Sequence, residues 1–110
     1  MTVEETKVVD VIGIDKASGQ VVLTIADHLE WVDEDSHLLA LQEKLNSYLA
    51  FVEEGELLEQ YPNSKDRRVR LDIVLKHSPS PRGDLFLRKA QDVVAAAGFS
   101  LEYRVLEDVH

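Results

Sequence analysis

Residues 21–31 read VVLTIADHLEW: an apolar, β-branched run, then an acid–imidazole pair, then the only tryptophan of the chain. Successive side chains of a strand point to opposite faces. Val21, Leu23, Ile25, Asp27, Leu29 and Trp31 therefore share one row, and Val22, Thr24, Ala26 and His28 share the other. One carboxylate interrupts an apolar row. A buried carboxylate needs hydrogen-bond partners or a counter-charge. Three arrangements supply them: Asp27 at the rim of the core accepting backbone N–H groups from the turn or the first helix, a bulge that turns it outward, or a ligand-binding or catalytic role. His28 falls on the opposite face, so Asp27 and His28 make no catalytic pair while the strand persists.

Working upstream, residues 8–14 (VVDVIGI) form a second β-branched run. The intervening DKASGQ is turn chemistry, with Gly19 free to take positive φ, so a β-hairpin is predicted. Downstream, a helix is predicted from near Asp33 to Glu54. Leu38, Leu41, Leu45, Tyr48, Leu49 and Val52 recur at three- and four-residue spacing along one face. Asp33 or Asp35 serves as N-cap without a capping box, and Gly55 stops the helix. GELLEQYP continues as a short helical or irregular piece to Pro62-Asn63.

Residues 67–77, RRVRLDIVLKH, alternate again. Val69, Leu71, Ile73 and Leu75 lie on one face, and Arg68, Arg70, Asp72, Val74 and Lys76 on the other. After SPSPRGD, with Ser80 as N-cap and Pro81 at the first helical position, a second helix is predicted. Its apolar face takes Leu85 or Phe86, Ala90, Val93 or Val94, and Ala97, and Gly98 ends it. Leu101, Tyr103 and Val105 mark a last strand. The order β-β-α-β-α-β predicts an α/β (α+β) two-layer sandwich: a four-stranded mixed sheet with two helices on one face. A single domain over 1–110 is expected, with an ordered core over 8–106. The other sheet face carries Val22, Thr24, Ala26 and Val74, and is where a dimer contact is expected.

Few chemistries are available. With no cysteine, thiolate catalysis, zinc ribbons and disulfides are excluded. No serine sits in a Gly-x-Ser-x-Gly context, and the isolated glycines form no phosphate cradle. Candidate metal ligands are Asp27, His28, Asp33 and His37, with His37 four residues after Asp33 on one helical face. This spacing fits no HExxH-type signature, and the acidic helix start explains Asp33 by itself. No cofactor, metal or catalytic residue is expected. Arg82-Gly83-Asp84 reads as a chance tripeptide. Partner-binding candidates are Trp31, as a core or interface anchor, and the basic row Arg68, Arg70 and Lys76, whose alternative reading is a solvated edge strand kept apart by its charges.

The formal charge is −9, unevenly placed: residues 1–62 carry 14 acids against 3 bases, and residues 63–91 carry 3 against 8. Such a balance repels phosphates, so no nucleic-acid partner is expected. No apolar run approaches the ~18 residues of a membrane span. The acidic start MTVEETKVVD lacks the form of a secretory signal. A soluble, cytoplasmic protein is expected.

Ile12-Gly13-Ile14-Asp15, then Val21-Val22-Leu23-Thr24-Ile25, then Asp27-His28-Leu29 and Trp31, followed by Leu39 to Leu49, resemble a family of small uncharacterised bacterial proteins, a domain of unknown function. The resemblance extends over residues 8–103 and implies a bacterial source and a stand-alone domain, with no activity and no site residues. The expected function is a non-enzymatic binding or interaction domain that homodimerises. Two alternatives are an inhibitor- or immunity-type protein masking a basic partner such as a nuclease toxin, and a metal-binding or enzymatic site around Asp27, His28 and His37.

Overall fold

The computed structural model describes residues 11–106. β1 (Val11–Ile14) and β2 (Val21–Asp27) are followed by α1 (Glu34–Glu53), α2 (Glu56–Gln60) and a 3-10 turn at Pro62–Ser64. Then come β3 (Val69–Leu75), α3 (Pro81–Ala96) and β4 (Ser100–Val105). Residues 8–10 of the expected first strand lie outside the described residues.

β1 and β2 pair antiparallel, Ile14 opposite Val21. The Asp15 carboxylate shapes the connection, accepting the Ala17 N–H and the Ser18 hydroxyl, each at 3.0 Å. Gly19 takes φ 76° there, a left-handed value that suits glycine. β2–β3 and β3–β4 are parallel, giving the order β1-β2-β3-β4. A parallel step needs a crossover, and two crossovers of one hand in one direction place α1 and α3 on the same face, where they touch. Burial follows the pleat: Val21, Leu23 and Ile25 of β2 and Val69, Leu71, Ile73 and Leu75 of β3 are buried beneath the helices.

This order corrects one expectation. β3 is flanked on both sides, so its basic residues do not guard an edge; the edges among the described strands are β1 and β4. Alternation reveals which face a strand buries but says nothing about its neighbours.

In α1, Asp33 is the N-cap, its carboxylate accepting the Ser36 N–H at 3.3 Å, and Gly55 at φ 87° follows the helix end. Leu41, Leu45 and Tyr48 are buried as their spacing predicts. The same face also buries His37, Lys44 and Phe51, and the Lys44 ammonium lies 5.3 Å from the centre of the Tyr48 ring. α2 adds a third, short helix that buries Leu57. In α3 the buried line is Gly83, Leu87 and Val94; of the alternatives left open by sequence, Phe86 and Val94 turn inward while Leu85 and Val93 are exposed.

The two long helices begin side by side. The Ser80 hydroxyl accepts the Gly83 N–H at 3.1 Å, capping α3, and donates to Glu34 in the first turn of α1 at 2.5 Å. Ser80→Ala removes both bonds. A loss of about 1–2 kcal/mol is expected, measured by urea unfolding.

Candidate functional site

Asp27 ends β2, where the chain leaves the sheet for α1. It is buried, as its place in the apolar row predicts, with 2% of its surface exposed. Two groups satisfy the carboxylate. One oxygen accepts the Leu29 N–H at 3.0 Å, a turn two residues long, and the other lies 2.5 Å from His37 Nε2. The loop between β2 and α1 thus folds His37 back onto the strand it left.

Both ring nitrogens of His37 are occupied. Nδ1 lies 3.1 Å from the Glu30 carbonyl oxygen, which can only accept, so Nδ1 carries a hydrogen. Nε2 and the carboxylate oxygen must then hold a proton between them, since two lone pairs would repel at that distance. This proton makes the pair neutral overall, which lowers the cost of burying it. A catalytic histidine oriented by an acid keeps its second nitrogen for the substrate. His37 has none to offer.

A lid closes over the pair. The Trp31 indole stacks on the His37 ring, centres 3.7 Å apart and planes 25° from parallel, and its Nε1 donates to the His77 carbonyl at 3.3 Å. The other side of the indole meets Gly83 of α3. A Cβ there would lie 2.5 Å from one Trp31 ring carbon and 2.7 Å from another. Glycine is required because the ring takes the space of a side chain. The Arg82-Gly83-Asp84 tripeptide is therefore helical with its centre buried.

The remaining candidates go elsewhere. His28 is exposed on the opposite row, and Asp33 is spent on the helix cap. Of the four candidate ligands only Asp27 and His37 meet, and no group of three metal-ligating side chains forms among the described residues. Two grooves lie away from the pair. A groove of about 270 Å³ on the uncovered sheet face is lined by Arg70, Asp72, Glu102 and Arg104, and another of about 320 Å³ runs between α1 and α3 past Leu49, Phe86 and Val93.

Arg68 and Lys76 are exposed at the two ends of β3, whereas Arg70 is committed within the molecule. Its guanidinium reaches Asp72 at 3.0 Å, Glu102 at 3.2 Å and Asp15 at 3.3 Å, joining the hairpin turn to β3 and β4. Burial works against the charge, but Asp72, Glu102 and Asp15 outweigh it and raise the Arg70 pKa. Arg70 braces the sheet rather than offering a free cation. Asp15 shifts the other way: the Ala17 amide and the Ser18 hydroxyl, with Arg70 adding to them, outweigh desolvation and lower its pKa. A carboxyl with a depressed folded pKa stabilises above its unfolded value, about 3.9, and loses that contribution as pH falls through the folded one. Asp15→Asn is accordingly expected to lower stability near neutrality and to converge with the wild type in acid, read from denaturant midpoints across that range.

A family model spanning residues 1–107 matches the sequence, almost its whole length. The chain belongs to the family of unknown function DUF6572. No curated protein and no solved structure matches it. Membership in DUF6572 assigns no activity, so the geometry of the chain carries the functional reading. The residues that sequence reasoning missed are structural partners: Gly83, which admits the indole, and Glu30, whose carbonyl fixes the imidazole. Neither leaves a signal in hydropathy, because one works by lacking a side chain and the other through its backbone.

Proposed function

We propose that this chain is a non-enzymatic interaction domain that works as a homodimer in the cytoplasm. The observation that supports it is the state of the one acid–base pair of catalytic type among the described residues. Both nitrogens of His37 and both oxygens of Asp27 are engaged inside the protein, beneath Trp31. No reagent is left there for a substrate, and recognition falls to the surface. Among the described residues no helix covers the second face of the sheet, where Val11 is more than half exposed and Val22, Thr24 and Val74 are half-buried. Among the described residues no helix is long and apolar enough to cross a membrane. Light scattering on the purified chain tests the proposal: a particle of twice the chain mass is expected, and a monomer at all concentrations would remove the dimer.

The inhibitor- or immunity-type reading draws on the exposed run Glu53, Glu54, Glu56 and Glu59 where α1 passes into α2. It requires a salt-sensitive complex with a basic protein encoded beside this one. A gene neighbourhood without such a protein speaks against it.

A further inference from the structure

We infer that two copies of this chain join through β4, edge to edge and antiparallel about Tyr103, to make one continuous eight-stranded sheet. The inference rests on the homodimer reading above and moves its contact from the bare sheet face to the edge of the sheet. Among the described strands β4 ends the sheet, six residues long with no proline to block pairing. Its backbone is already split between two sides. The Leu106 N–H bonds to the Leu75 carbonyl at 2.7 Å. In a parallel ladder every second residue turns both its backbone groups to the same neighbour. Glu102 and Arg104 therefore bond to β3, while Leu101, Tyr103 and Val105 turn theirs to the open edge. The Gln91 side-chain amide reaches the Leu101 carbonyl at 3.0 Å on that side and leaves its second lone pair available.

Charge decides the occupant. A two-fold axis at Tyr103 pairs Leu101 with Val105 of the second copy, and Glu102 with Arg104 of the second copy, twice over. The charged pairs fall at the non-hydrogen-bonded positions, where side chains approach most closely. Arg104 is exposed and makes no ion pair among the described residues, while the Glu102 side chain is 64% exposed even though it touches Arg70. The apolar side chains at 101, 103 and 105 all lie on the helix-covered face, so the partner's strand continues the layer already built. An unrelated extended peptide would gain the backbone bonds without these two reciprocal pairs, which is why a second copy is the fitting partner.

Sedimentation equilibrium on the full chain and three variants tests this. Arg104→Glu sets carboxylates against each other at both symmetric positions and should weaken the dimer about tenfold or more. Adding Glu102→Arg restores both pairs with their ends exchanged and should recover most of the affinity. Val105→Pro removes an edge N–H that has no partner among the described residues and should also separate the copies, with folding checked by circular dichroism. A wild-type dimer indifferent to Arg104→Glu and to Val105→Pro would overturn the β4 contact while leaving the homodimer standing. A wild-type monomer would overturn both.

Discussion

Asp27→Ala is expected to destabilise the protein by about 3–5 kcal/mol, the usual range when one member of a buried pair is removed and the other is stranded. His37 would keep its bond to the Glu30 carbonyl while Nε2 faced a void, and the Leu29 N–H would lose its acceptor. Asp27→Asn separates the need for hydrogen-bond partners from the need for the carboxylate charge. The asparagine oxygen can still accept from Leu29, and its amide can donate to Nε2 of a neutral imidazole whose hydrogen stays on Nδ1. The loss should then be only about 1–2 kcal/mol, charge-assisted bonding giving way to neutral. Urea unfolding of the two variants reads the difference; equal, large losses would mean that the carboxylate charge itself is indispensable.

Gly83→Ala carries the second large effect, with a sign opposite to the general rule. Alanine in place of glycine within a helix normally gains about 1 kcal/mol. At Gly83 the new methyl would sit 2.5 Å from a Trp31 ring carbon, so the indole or α3 must move. A net loss of about 1–3 kcal/mol is expected, as for other overpacked interiors. Any tilt of the ring also weakens its stacking on His37 and its bond to the His77 carbonyl. Since Trp31 is the only tryptophan, its fluorescence reports the shift. In a Trp31→Leu background the same substitution should be close to neutral, and the coupling between the two sites measures the contact.

Much of the fold was legible because each strand carries its own alternation. Two parallel crossovers and a hairpin followed from the order of patterns, and the placement of Asp27 among Leu23, Ile25 and Leu29 followed from counting by two. The backbone amide that Asp27 accepts from the turn was foreseen, and His37 was grouped with it only as one of four candidate metal ligands; their direct bond was not legible. Helical spacing linked His37 to Asp33, four residues before it, whereas the loop at 28–33 returns it to a residue ten positions back. Loop paths depend on tertiary packing, and here the packing is Trp31 against Gly83. Arg70 was misjudged for a related reason. Its row was read correctly as facing away from the helices, but Asp15, Asp72 and Glu102 reach it from the hairpin turn, its own strand and β4. Charge along a sequence shows which residues are polar, not which of them are already spent on each other.

Backbone hydrogen exchange on the full chain, at low and at high protein concentration, tests most directly whether the acid–imidazole pair is sealed structure and the β4 edge is the contact. The Leu29 amide, bound to the buried Asp27 carboxylate, should exchange slowly at both concentrations. The outward amides of Tyr103 and Val105 should exchange fast in dilute solution and become protected as copies associate. Rapid exchange at Leu29, or exchange at Tyr103 and Val105 that ignores concentration, would contradict the account.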